Sequence, residues 1–518
     1  MIRLLGAGVL ALVATAQAGA QTRAGGATAR AAATITGADV SRRVHVIAHD
    51  SMMGRNTPSR GLDLTAQYIA DEFKRFGLKP GGENGTWFQR YPIVTGKMDM
   101  AGSHVGFMAS GKHAHVTFDK HAIWVSGDTP KEEIGGDALL VGGAIDPKTV
   151  DASQAKDRVV LLVVDYSKPV PPTVLASARA MEAAGARGFV YLSNRDSMGF
   201  ARRIAARSGT TTRLKAGAGV PYIEVQERAA ADYVPATTLA EVRASTRPVV
   251  RPVPGLRVMI EAKRDEQEVT APNTIGILEG TDPVLKNEYI VFSAHMDHDG
   301  VKRPMQGSTD SIWNGADDDA SGTVGIVELA EAFAQPGARP KRSLMFMTVS
   351  GEEKGLWGSQ WFSEHPTVPT NQLVANINLD MIGRNSGKAK GDVKQWSDTI
   401  VVIGKEHSDL GATLNRVNAA HRELKMNAID DIWPNERFYF RSDHYNFARK
   451  GVPILFFFNG THEDYHGPAD TPDKIDGEKE ARILKLIYFL GTEIGNAAAK
   501  PQWKPESYKV IVEGVGGR

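Results

Sequence analysis

The sequence predicts an α/β fold, a mostly parallel mixed sheet with helices on both faces, into which a smaller α/β module is inserted. Short continuous runs of Val, Ile, Leu and Phe, such as Tyr289-Ile290-Val291-Phe292, read as strands buried on both faces. From about residue 255 onward these runs alternate with segments of helical period, the pattern of strands joined by crossover helices. Between about 120 and 252 the text changes, with Pro-rich rims at 169–172 and 248–254, which marks the insertion.

Taken in order, residues 1–20 read as a secretory signal peptide. Arg3 gives a positive start, Leu4 to Ala16 an apolar run, and Ala16-Gln17-Ala18 a small-x-small cleavage site. Residues 21–37, rich in Ala, Gly and Thr, read as a disordered lead-in. The main domain is expected to begin at 38 and run to 119. There Leu62, Ala66, Ile69, Phe73 and Phe76 recur at helical spacing, and Gly77 is placed to end the helix.

The insertion, 120–252, holds apolar strands at 138–141, 159–164 and 188–192, with a helix over 173–184 that stops at Gly185. The main domain resumes over 253–500. Strands are expected at 289–294, 343–349, 374–379, 400–403 and 453–458, and helices at 321–335, 357–364 and 477–497. Residues 501–518 read as a C-terminal tail.

Composition narrows the function. The 518 residues carry 61 basic and 60 acidic side chains, so no basic excess is present to neutralise a nucleic acid backbone. Cysteine is absent, which removes disulfides, thiolate metal ligands, thiol nucleophiles and a lipid anchor on cysteine. Export without cysteine suits a bacterial periplasmic or extracellular enzyme. Past the leader no apolar run approaches bilayer length, so no stable membrane insertion is expected.

Polar groups recur where the expected strands end. His295 follows one strand, Glu352 and Glu353 another, Asp380 a third, and His466 a fourth after a short loop. Open α/β sheets bind ligands beyond the carboxyl ends of their strands, so these distant residues would meet in one crevice. Each has a plain alternative. Asp317-Asp318-Asp319 could cap a helix, Glu352-Glu353 could be a solvated pair, and His466 could sit in a surface turn. Coincidence of all of them at successive strand ends is far less frequent than any one alone.

The segments Ser293 to Asp297, Asn314 to Gly322, Ser350 to Ser359, Asn378 to Gly383 and Tyr465-His466 resemble, in order, the motifs of the co-catalytic zinc aminopeptidases, metallopeptidase family 28. The resemblance implies the zinc exopeptidase fold and two zinc ions per chain. It implies that Asp318 bridges the ions, that His295 and Asp380 complete one site, and that Glu353 and His466 complete the other. It further implies Glu352 as general base, Tyr465 as a donor to the oxyanion and Asp297 as the residue that fixes the His295 tautomer by accepting from its second ring nitrogen. Asp319 would do similar supporting work. The insertion, especially Ala183 to Gly188, resembles a protease-associated domain.

Several residues stay open. His298, three positions after His295, competes as a ligand. Ser442-Asp443-His444 could pack or bind substrate, Trp433 and Phe438 to Phe440 could wall a pocket, and His113, His115 and His121 read as surface histidines. The resulting expectation is a secreted zinc aminopeptidase acting on peptides, of open oligomeric state. A carboxypeptidase or dipeptidase on the same scaffold is the alternative, for which Arg384, Arg437 or Arg441 would hold a terminal carboxylate. A one-metal glutaminyl cyclase and a non-catalytic binding protein fit the full ligand set less well.

Overall fold

The computed structural model describes residues 26–207, 209–215, 219–305, 307–389 and 392–514. The expected signal peptide lies outside them. The chain divides into two compact units, one built from residues up to Tyr91 together with Thr270–Gly517, the other from Pro92–Val269. The insertion is thus wider at both ends than the 120–252 read from the sequence. The reason is pairing at long range: strand His104–Ala109 forms a hairpin with Lys112–Thr117 and also pairs with Arg257–Glu261, so both flanks belong to the inserted sheet.

In the main unit the strands run in the order Asn427–Ile429, Thr399–Ile403, Ile454–Phe458, Leu373–Leu379, Tyr289–His295, Ser343–Val349 and Arg264–Leu278. The central four are parallel, and antiparallel pairs flank them on both sides. Central strands such as Ser343–Val349 and Leu373–Leu379 are buried at every position, which explains their uninterrupted apolar runs.

The helices follow their sequence signals. Arg60–Arg75 starts at Ser59, whose side chain accepts from Leu62 N–H. It buries Leu62, Ala66, Ile69 and Phe73, and Gly77 follows with a positive φ of 80°. Gly322–Ala334 is buried almost all round, and Gly477–Asn496 is capped by Asp476. Among the described residues no helix is long and apolar enough to cross a membrane.

Two expectations need correcting. Residues 26–32, within the presumed disordered lead-in, are helical, and Ala27, Ala31, Ala32 and Ile35 are buried. Alanine is the strongest helix former, so an Ala-rich stretch that finds a surface to cover need not stay unfolded. In the presumed tail, Pro505–Ile511 is a helix, and its Ile511 joins the core of the main unit.

The inserted unit has its own eight-stranded sheet, with strands 134–143, 159–164, 188–193 and 222–226 parallel and the rest antiparallel. Helices Pro172–Ala183, Ser197–Arg207 and Ala236–Ala244 accompany it, and it has two apolar clusters. It is an α/β module with cores of its own.

His444 illustrates how the main core treats a polar ring. It is fully buried, stacks on Phe456 at 4.3 Å, and donates from Nε2 to the Tyr439 carbonyl at 2.8 Å. Burial lowers it from the ordinary 6.5 to about 3. The folded form therefore resists a proton that the unfolded chain takes up readily below 6.5. Stability present above that pH is lost as pH falls toward 3, by roughly 5 kcal/mol at most. Urea midpoints measured from pH 7 to 4 should fall less steeply for His444→Gln than for the parent protein.

Candidate metal centre and catalytic cleft

The expected ligands come from separate elements of one sheet edge. His295 is the last residue of its strand, Asp380 directly follows Leu373–Leu379, and Glu353 lies in the turn after Ser343–Val349. Asp318 precedes the helix Gly322–Ala334. Its loop turns at Gly315, whose φ of 56° suits glycine, and where a Cβ would come within 2.2 Å of the Asp318 carbonyl. His466 has a φ of 52°, a left-handed conformation costing a non-glycine residue roughly 1–2 kcal/mol. Trp313 Nε1 donates to its carbonyl at 3.1 Å and helps hold it there.

These side chains meet around Asp318. Its Oδ1 lies 3.3 Å from His295 Nε2, which is also 3.7 Å from Asp380 Oδ1. Its Oδ2 lies 3.1 Å from His466 Nε2, which is 3.1 Å from Glu353 Oε2. His298 stands in the second half too, with Nδ1 2.9 Å from Glu353 Oε1 and 3.8 Å from Asp318 Oδ2. Yet Asp318 Oδ2, Glu353 Oε1 and both ring nitrogens of His298 are buried without a hydrogen-bond partner. Lone-pair atoms crowded together without hydrogen bonds are unstable unless a cation satisfies them. Imidazole and carboxylate donors of this kind fit zinc.

Asp319 also lies near His295 and Asp380. Its oxygens are occupied, however, accepting from the main-chain N–H groups of His295 (3.1 Å), Met381 (3.1 Å) and Gly322 (2.9 Å). It ties three ligand-bearing segments together. Asp317 and Asp470 do the same beneath the centre. Gly383 N–H donates to Asp317 at 2.7 Å, and the N–H groups of Asp317 and Asp318 donate to Asp470 at 3.0 and 3.1 Å. His462 sits 3.3 Å from Asp317.

Asp297 differs from its expected role. The contact to His295 Nδ1 is made by the Asp297 main-chain carbonyl at 3.1 Å, while its nearer carboxylate oxygen stands at 3.7 Å. The carboxylate instead accepts from Glu352 N–H at 3.2 Å and Thr57 Oγ1 at 2.9 Å, and Thr57 in turn accepts from Gly351 N–H at 3.0 Å. It therefore fixes the backbone that carries Glu352. The main chain takes the ring contact and the carboxylate goes to Thr57 and Glu352, a detail that sequence spacing does not carry.

Glu352 faces the cleft. Desolvation raises its carboxyl well above the usual range, the nearby His295 opposes that, and the neighbouring Glu353, Asp443 and Asp380 add to it. His466 goes the other way from its burial: desolvation would lower it, but Asp318 and Glu353 carry it up to about 10. Tyr465 stacks on His466 at 4.0 Å, and burial followed by the surrounding carboxylates raises its hydroxyl, which stays protonated and able to donate.

The cleft is narrow and is lined by His295, Asp318, Glu352, Asp380, Tyr465, Arg441 and the apolar Met381, Phe438, Phe456 and Phe458.

Two further contributions complete the site: Ser442, whose role the sequence left open, and Arg55, for which it gave no signal. Ser442 Oγ donates to Asp380 Oδ2 at 2.8 Å. It is held in turn by Asn378, which accepts from Ser293 at 2.6 Å, so a polar chain inside the sheet aims the Asp380 carboxylate. Arg55, fully buried, donates to the carbonyls of Met296, Ile47, Asn314 and Gly315 at 2.6–3.0 Å. Of the arginines proposed for a terminal carboxylate, Arg384 is committed to Asp464 (2.6 Å) and Asp470 (3.3 Å), and Arg437 lies over the Phe440 ring. Arg441 alone of the three lines the cleft.

An open sheet that gathers imidazoles and carboxylates at its strand ends has the build and donor chemistry of a metal-dependent hydrolase domain. Residues 273–490, less than half of the chain, match the model of peptidase family M28. It is 29% identical over 261 residues to a Pyricularia oryzae protein described as "Probable zinc metalloprotease", covering 46% of this chain and 50% of that one. It is 26% identical over 246 residues to a "Probable leucine aminopeptidase" of Arthroderma otae, covering 46% and 61%. The chain thus spans about half the length of the curated relatives it matches. An aminopeptidase from Aneurinibacillus sp. strain AM-1 shares the fold, with a TM-score of 0.50 at 16% identity over 92% of this chain and 98% of that one.

Proposed function

We propose that this chain is an exported, zinc-dependent exopeptidase that removes N-terminal residues from peptides. The observation that carries the proposal is the convergence of two imidazole–carboxylate sets on the two oxygens of Asp318, with the unbound carboxylate of Glu352 beside them. His295, Asp318 and Asp380 would hold one zinc ion, and Asp318, Glu353 and His466 the other. Two such ions, when bound, acidify a water and polarise the scissile carbonyl.

The chain's own groups do the rest. Glu352, with its main chain fixed by Asp297, takes the proton of the attacking water and passes it to the leaving amine. The Tyr465 hydroxyl donates to the developing oxyanion. The aromatic wall formed by Phe438, Phe456 and Phe458 offers an apolar surface to a substrate side chain, and Asp318, Glu352 and Asp380 make the surroundings complementary to a free α-ammonium. The inserted unit is assigned as a protease-associated domain and supplies none of these groups.

Arg441 in the cleft favours one other reading, a carboxypeptidase or dipeptidase. Turnover of an aminoacyl-anilide against that of an N-blocked dipeptide with a free carboxyl terminus separates the two. The anilide should be cleaved, with activity abolished by chelation and restored by zinc; cleavage of the blocked dipeptide alone would overturn the aminopeptidase reading. His466, with its side chain 37% exposed, can be removed with little loss of packing. His466→Ala should keep the fold and lose metal affinity, about 10–100-fold or more, as read by zinc content at limiting free metal. Unchanged zinc content would remove His466 from the ligand set.

A further inference from the structure

The inserted unit gathers a second set of metal-ligand side chains, well outside the residues used above. Strands His104–Ala109, Pro248–Glu261 and Ile134–Gly143 are neighbours in its sheet. His104 pairs directly with Glu261, and the pairing of Ile134 with Ile260 carries Glu133 to the position facing Glu261. Residues directly opposite on adjacent strands point to the same face, with Cβ atoms about 4.5–5.5 Å apart. An imidazole and two carboxylates therefore form one row across three strands, set by backbone register.

The side chains agree with the register. One ligand atom from each of His104, Glu133 and Glu261 lies within 4.8 Å of the others, and His104 Nδ1 is 3.7 Å from Glu261 Oε2. Facing carboxylates repel, and a shared cation would offset that repulsion. Lys263 relieves part of the repulsion, pairing with the other oxygen, Glu261 Oε1, at 3.1 Å and leaving Oε2 turned toward His104.

We infer that His104, Glu133 and Glu261 form a further site in this protein for a borderline first-row divalent cation of the zinc class, completed by water. The donor set of one nitrogen and two oxygens suits that class, and too few oxygens are present to favour calcium. The His115 ring stacks on His104 at 4.1 Å and holds it in place. A cation here would join three strands of the inserted unit and stabilise that unit rather than act on substrate.

Equilibrium dialysis of the full chain over a range of free zinc, with bound zinc read by atomic absorption, tests the inference. The parent protein should saturate at one more zinc per chain than Glu133→Gln or His104→Ala. The loss should add to that caused by His466→Ala, and anilide turnover should be unchanged in both inserted-unit variants. Glu133 is exposed, so its substitution leaves folding intact even if His104→Ala does not. Equal saturation of the parent protein and Glu133→Gln would overturn the assignment. Failure of zinc to bind at Asp318 would leave this comparison readable, because it depends only on the difference between variants.

Discussion

Replacing Glu352 with alanine should lower kcat about 10²–10⁴-fold while the bound zinc content stays that of the parent protein. The expectation follows from a division of labour between adjacent carboxylates. Glu353 stands 3.1 Å from His466 Nε2 and is committed to the ligand cluster, whereas Glu352 lines the open cleft. Removing a ligand loses metal; removing a base that touches only the reacting water loses turnover. Glu352→Gln, which keeps the shape but cannot accept the proton, should fall as far as alanine. Near-full activity in either variant would show that the proton travels by another route and would remove the mechanism, even with the metal centre intact.

Much of the centre was readable because the chemistry falls at the ends of strands. Residues 159–164 and 343–349 are strands over the very spans that their apolar runs mark out; His295 and Asp380 close such runs at once, and Glu353 follows its own four positions on. Local pattern carries that information. What it does not carry is pairing between remote segments. The hairpin 104–117 looked like part of the main domain because nothing in its own sequence reveals that Arg257–Glu261 completes it. Ser442 looked ambiguous for the same reason: its partner Asp380 is 62 positions away, and the Asn378–Ser293 pair that orients it is inside the sheet. The carboxylate of Asp297 was assigned to the wrong partner because spacing fixes which residues are near, not which oxygen faces which donor.

Arg55 is the extreme case, and its removal should have the largest effect on stability. It lies in the short stretch Asp50–Arg55, more than 200 residues from the loops it holds, and its own φ of 53° is left-handed. Its guanidinium donates to Met296, next to His295, and to Asn314 and Gly315, which lead to Asp318, besides Ile47 of the helix Gly37–Ile47. Burial lowers its affinity for a proton to about 10, while Asp297, Asp318, Asp319 and Asp470 pull it upward, so it remains charged at neutral pH and offsets those acids. Arg55→Met fills similar space but leaves the carbonyls without donors and the acids without their counter-charge. The expected cost is about 3–5 kcal/mol, with weaker zinc binding because both ligand loops lose their common anchor. Arg55→Lys should recover little of it, since one ammonium cannot reach acceptors spread over a planar fork. Urea unfolding with zinc present and with chelator separates the two effects. If the arginine serves only as packing, the methionine variant will match the parent protein in both conditions; if it anchors the loops, the chelated midpoint drops and the additional stabilisation by zinc shrinks with it.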